Sequence, residues 1–181
     1  MFAALVPPET VAADLGRFLE PRRDVPGPRW TLPDQWHVTL AFAGAVPGRA
    51  LDDLLERVGE AASRHPVGPV RVAGGGCFPD VTRARVLWAG VAHDGRLPAL
   101  AAAVRSAFAG AGAAPEGGRF VPHVTLARFG RPVEATRWLR LLETYEGPVW
   151  TPGEVVLVES HLPRERGHRP RHEVVDRLPL G

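Results

Sequence analysis

Residues 37–44 read HVTLAFAG, and residues 123–130 read HVTLARFG. Six of the eight positions are identical across a separation of 86 residues, in a chain with no other obvious repeat. In an extended chain alternate side chains share a face. His37 and Thr39 are therefore expected to point one way, with Val38, Leu40 and Phe42 on the other side. The same alternation groups His123 with Thr125 and sends Val124 and Leu126 to the opposite face. Each copy is predicted to be a strand with an apolar back and a His/Thr front. Packing explains a repeated Val and Leu, but it has no reason to write His and Thr twice on the other face.

Composition sets the bounds. A chain of 181 residues with 45% hydrophobic composition suits one compact domain over residues 1–181, which buries roughly 70% of the surface its unfolded chain exposes. Cys77 is the single cysteine, so no intramolecular disulfide forms and no Cys cluster for zinc exists. Both points favour a reducing cytoplasm over secretion, and the thiol itself reads as a small buried or half-buried hydrophobe. The start, MFAALVPPE, has an apolar run too short for a signal peptide or a membrane span, and Pro7 and Pro8 end it. The expectation is a soluble cytoplasmic monomer with no membrane partner. All 22 basic residues are Arg, and the sequence pI is 9.4. Arg164, Arg166, Arg169 and Arg171 crowd one Pro/Gly-broken stretch with His161, His168 and His172. That stretch reads either as a landing place for phosphate or as a solvated basic loop. His168 and His172 are four apart, but Pro170 argues against the helix that would align them on a metal. Gly74–Gly76 lack the context of a nucleotide-binding loop, and no nucleophile elbow appears.

The hydrophobic pattern organises the chain as α+β. FAALV (2–6) reads as a strand, and Pro8 opens a helix to about Leu19. A turn-rich stretch, RRDVPGPRWTLPD, precedes the first repeat. Residues 49–64 read as an amphipathic helix, VRVAGGGCF and RVLWAGVA as strands, and LPALAAAVRSAFAGAG as a helix closed by Gly110 and Gly112. The glycine-rich AGAAPEGGR leads to the second repeat. VEATRWLRLLETY reads as a third amphipathic helix, and EVVLVESHL and HEVVDRL as two closing strands. Each half thus supplies a repeat strand followed by a helix, with no linker long enough to separate independent domains.

Two such lobes around one pseudo-twofold axis bring the two His/Thr fronts together across a cleft. Imidazole titrates near 6.5, so one histidine can be a base while its partner is an acid. In-line displacement at phosphorus needs both: one group takes a proton from the attacking oxygen, and the other gives one to the leaving oxygen. The threonine hydroxyls can donate to the non-bridging phosphoryl oxygens. This chemistry requires no metal and no cofactor. A single histidine opening an apolar strand is ordinarily structural, and it is the pairing that moves the reading toward catalysis.

The two HVTL strands resemble the paired His-hydrophobic-Thr-hydrophobic (HxTx) motifs of the two-histidine phosphoesterases, in particular the RNA 2',3'-cyclic phosphodiesterase branch, also called 2'-5' RNA ligases. FAALVPP, RVLWAG with Trp88, RFVPHVTLAR and the ESHL…DRLPL ending are similar to that branch as well, so the resemblance runs over nearly the whole chain. It implies a bilobal α+β fold with two pseudo-symmetric lobes, antiparallel sheets around a central cleft, and helices outside. It implies metal-free opening of a 2',3'-cyclic phosphate to a 2'-phosphate, on RNA ends or on small cyclic nucleotides. His37 and His123 then carry catalysis, with His123 acting on water and His37 on the leaving oxygen, while Thr39 and Thr125 hold the phosphate. Arg128 matches a frequent family arginine, although simple alternation places it on the Val124/Leu126 side. Phe2 matches an aromatic near the nucleobase, although plain core packing is the stronger reading of that residue, and Ser160 borders the expected cleft. Where the family often has Tyr near the last loop, this chain has His172. Two other activities fit the same residues: joining a cyclic end to a 5'-hydroxyl, and binding an RNA end without turnover.

Overall fold

The computed structural model describes residues 1–161 and 171–181. Arg164, Arg166, His168 and Arg169 lie outside the described residues. Nine strands are described: β1 (Phe2–Leu5), β2 (Pro28–Trp30), β3 (Val38–Phe42), β4 (Val70–Phe78), β5 (Ala84–Ala92), β6 (His123–Val133), β7 (Glu146–Trp150), β8 (Glu154–His161) and β9 (Arg171–Pro179). The helices are α1 (Glu9–Leu19), α2 (Leu51–Arg64), α3 (Leu97–Gly110) and α4 (Thr136–Leu142). Two short strands were not predicted from the sequence. They are β2, within the turn-rich stretch, and β7, which follows a helix shorter than the VEATRWLRLLETY pattern suggested. Both edges take their pairing from neighbours and not from their own alternation.

All strand pairs are antiparallel. The order β7-β4-β5-β6-β3-β1-β8-β9, with β2 beside β6, is a palindrome of roles about the β6–β3 seam. Each side carries a motif strand, a neighbour (β5 or β1), a third strand (β4 or β8) and an edge. The third strands cross over: β4 follows the first motif in the chain but lies in the second motif's half, and β8 does the converse. The lobes are therefore interlocked and do not correspond to the two halves of the sequence.

The equivalence extends to individual registers. Val38 and Ala41 pair with Leu5 and Ala3 in β1; Val124 and Ala127, their repeat counterparts, pair with Ala89 and Leu87 in β5. In each ladder the register slips at the same place, between Ala3 and Ala4 and between Leu87 and Trp88. The residue left over is Leu40 in one strand and Leu126 in the other, a β-bulge written twice.

The helices bury one side of this sheet. Val11, Leu15 and Leu19 of α1, Leu54, Val58 and Ala62 of α2, and Leu97, Leu100, Val104 and Phe108 of α3 recur at helical spacing and are all buried. They join Val38, Leu40, Leu126, Val124, Leu87 and Leu157 from the sheet's back in one core. Each large aliphatic side chain so buried stabilises the fold by about 1.5–3 kcal/mol. The other face carries a separate small cluster, Phe2, Ala4, Val156 and Val158, and lies under the site.

Candidate active site

The two motif strands meet at a single register pair, Val38 with Val124. These two residues are counterparts in the repeat, so the local twofold of the pair is the pseudo-twofold of the molecule. One step along, His37 comes alongside Thr125 and Thr39 alongside His123, because opposed residues of antiparallel strands share a face. The four motif side chains thus lie together on the helix-free face, each half-buried.

Both histidines are held the same way. Nδ1 of His37 lies 2.7 Å from the carbonyl oxygen of Gln35, and Nδ1 of His123 lies 2.7 Å from that of Val121. A carbonyl only accepts, so each ring carries its proton on Nδ1 and has the unprotonated nitrogen at Nε2. Gln35 and Val121 are again counterparts. The lock is therefore part of the repeat, although the two sequences differ there.

The supports around the rings differ. Phe2 stacks on His37 with centroids 4.6 Å apart and 20° between planes, and His172 meets His37 edge-on at 5.7 Å. Phe2 is 5% exposed, so it packs as a core residue, and its ring orients the His37 imidazole. His123 is braced by Phe78 at 5.2 Å, edge to face, and by Trp88 at 5.7 Å. The indole of Trp88 covers Gly76, where an added Cβ would come within 2.3 Å of the ring; only glycine leaves that space.

Electrostatics favour neutral rings in the free protein. Burial lowers the pKa of His37 to about 4, with further lowering from the charges of His172, His123 and Arg128. Burial likewise lowers that of His123, again with Arg128 adding to the shift. His172 is lowered by burial, while Asp34 acts in the opposite sense. Each charge would be expensive in a partly dry site, and a bound phosphate anion opposes that cost.

Arg128 and Phe42 correct the simple alternation. The bulge at Leu126 shifts the parity of β6, so that Leu126 and Ala127 are both buried and Arg128 pairs with Val86, two residues from Trp88 on β5. Arg128 therefore shares the His/Thr face. By the same shift at Leu40, Phe42 pairs with Phe2 and is 38% exposed, on the front and not on the back with Val38. The adjacent apolar Leu-Ala in each motif was the signal for both bulges. Ser160 lies opposite His172, on the face of Val156 and Val158. Of the described basic cluster, His172 alone joins the site. His161 lies 3.8 Å from Glu159 and 3.7 Å from Glu173, and Arg171 also approaches Glu173. Among the described residues no three His, Cys, Asp or Glu side chains form a metal-ligand set, and no helix is long and apolar enough to cross a membrane.

A twofold pair of HxTx strands in a bilobal antiparallel α+β fold defines a class, and residues 7–164 match the 2'-5' RNA ligase superfamily. The chain belongs to that superfamily. It is 34% identical over 160 residues to an RNA 2',3'-cyclic phosphodiesterase of Aquifex aeolicus, covering 84% of this chain and 82% of the relative. It is 29% identical over 156 residues to another of Geobacillus stearothermophilus, where 83% of this chain spans only 47% of the relative. The crystal structure of E. coli LigT complexed with 3'-AMP superimposes with a TM-score of 0.78 at 25% identity, over 99% of this chain and 96% of that one.

Proposed function

We propose that this chain is an RNA 2',3'-cyclic phosphodiesterase, acting as a cytoplasmic monomer in which residues 1–181 work as one unit. The observation that carries the reading is the pair of His rings on one twofold, both with Nδ1 tied to a backbone carbonyl and both offering Nε2. The relatives named for this activity support it, and the site is built within one chain.

The cyclic phosphate sits between the imidazoles. Nε2 of His123 takes a proton from water as its oxygen attacks phosphorus, the P–O3' bond breaks in line, and His37, which takes up a proton as the phosphate anion binds, gives it to O3'. The products are a 2'-phosphate and a 3'-hydroxyl. Thr39 and Thr125 donate hydrogen bonds to the non-bridging oxygens as charge builds on them. Arg128, on the same face, adds positive potential. Phe2, Phe78 and Trp88 keep the rings from rotating, so the geometry is set before substrate arrives.

The test is incubation of a short 2',3'-cyclic oligonucleotide with the protein, in the presence of a 5'-hydroxyl RNA, followed by phosphorus NMR of the products. A 2'-phosphate is expected. A joined strand as the main product would assign a ligase, and bound but unconverted substrate a binding module.

A further inference from the structure

Arg29 stands directly opposite Arg128 in the β2–β6 ladder. Opposed residues in an antiparallel pair share a face, so Arg29 joins Arg128 on the side of the histidines. Like charges in that position work against the pairing. Several arginines face a carboxylate, Arg17 with Asp14, Arg57 with Asp53, Arg96 with Asp94 and Arg177 with Glu154, and others such as Arg85 and Arg131 have none among the described residues; what sets Arg29 and Arg128 apart is that two of the unpaired ones stand directly opposite each other. Arg29 and Arg128 are both exposed, and among the described residues neither has an ion pair or a side-chain hydrogen bond. A sheet that places two uncompensated guanidinium groups side by side has a gap suited to an anion, and the planar fork of Arg matches phosphate oxygens in pairs.

The position narrows the anion. On β5, Thr125 pairs with Trp88 and Arg128 with Val86, two residues or about 7 Å along the strand. The arginine pair therefore lies just beyond the phosphate held by the threonines, at a span that a nucleoside covers. A 2',3'-cyclic group ends the chain, so its only neighbouring phosphate is the one on the 5' side of the terminal nucleoside. We propose that Arg29 and Arg128 form a second phosphate subsite that holds this upstream phosphodiester of a single-stranded RNA. The inference rests on the cyclic phosphodiesterase reading and extends it: the protein selects oligonucleotide ends over cyclic mononucleotides lacking a 5'-phosphate.

The experiment compares kcat/KM for adenosine 2',3'-cyclic phosphate, the same mononucleotide with a 5'-phosphate, and a diadenylate with a 2',3'-cyclic end, in wild type, Arg29→Ala and Arg29→Lys. Wild type is expected to prefer the diadenylate over the plain mononucleotide by roughly tenfold or more. That ratio falls toward one in Arg29→Ala and recovers in part in Arg29→Lys. A matching gain for the 5'-phosphorylated mononucleotide shows that the subsite reads a terminal phosphate as well. A second measurement does not need turnover: binding of 3'-phosphorylated diadenylate to the His37→Ala/His123→Ala protein at several salt concentrations. Removing Arg29 should flatten the log–log slope by about 0.7, the loss of one phosphate contact on a single strand. An unchanged substrate ratio together with an unchanged slope would overturn the subsite. Failure of all three substrates to turn over, with the slope still responding to Arg29, would overturn the enzymatic reading and leave the subsite standing.

Discussion

Val38 pairs with Val124 across the seam of the sheet, and each is the other's counterpart in the repeated motif. A strand pair centred on equivalent residues is a twofold axis in miniature. Placing that axis between the motifs gives the two histidines matching backbone locks, the same tautomer and one shared face. The reaction proposed has two nearly symmetric ends, an attacking and a departing oxygen, and the duplicated half-site answers both.

Replacing His37 or His123 by Ala is expected to lower kcat by roughly 10²–10⁴, the usual contribution of a general acid or base, with the circular dichroism spectrum unchanged. Thr39→Val and Thr125→Val should cost less, since water replaces part of a lost hydroxyl donor. A folded His123→Ala protein with near wild-type turnover would remove the two-histidine mechanism.

His37 also makes stability depend on pH. Its pKa is about 4 in the folded protein and near 6.5 in an unfolded chain. Between those values the unfolded state binds the extra proton, so stability is full above pH 6.5 and falls as pH drops toward 4. The loss is about 3 kcal/mol at about 1.4 kcal/mol per unit. Denaturant titrations of His37→Phe, which keeps a ring against Phe2, should lack most of this decline. An equal decline in both proteins would mean that His37 is not the buried neutral group.

Gly76→Ala tests the bracing of His123. The new methyl meets the Trp88 indole, so the ring that braces His123 has to shift, and overpacking of this kind costs about 1–3 kcal/mol. Tryptophan fluorescence should shift and kcat should fall by roughly tenfold. A stable variant with wild-type kcat would show that the indole does not position the imidazole.

His172→Tyr keeps an aromatic ring beside Phe2 and His37 but removes a group whose charge lowers the His37 pKa. The His37 imidazole should titrate higher, read from its carbon-bound protons by NMR, and the bell of the kcat/KM profile, which belongs to the coupled pair, should move with it. A His37 titration that stays in place would place His172 outside the electrostatics of the pair.

Much of this was legible in the sequence because it rests on period and repetition. The duplicated His-x-Thr fixes two strands and one face, and helices α1 to α3 announce themselves by apolar residues every three to four positions. What escaped was geometry that period cannot carry. The bulges at Leu40 and Leu126 reverse the parity that alternation assigns to Phe42 and Arg128. β2 has too few residues to show a period, yet its pairing with β6 puts Arg29 opposite Arg128. The crossing of β4 and β8 between lobes is a choice of partner, which local sequence does not encode. That Phe2 packs is the stronger expectation from sequence, but chemistry alone does not reveal that its ring stacks on His37.

The central claim, that His37 and His123 divide the roles of acid and base, is tested most directly by kcat/KM against pH from 4 to 9 on a 2',3'-cyclic oligonucleotide, with and without excess EDTA. Simple imidazole chemistry puts the optimum within about a unit of pH 6.5. Burial and Arg128 lower both pKa values in the free protein, which moves it to the acid side. The rate should rise as the first ring loses its proton and fall as the second does, giving a bell centred below pH 6.5 whose limbs belong to the coupled pair. The chelator should leave it unchanged. A rate still climbing at pH 9, or one lost to EDTA and restored by a divalent metal, would contradict the assignment.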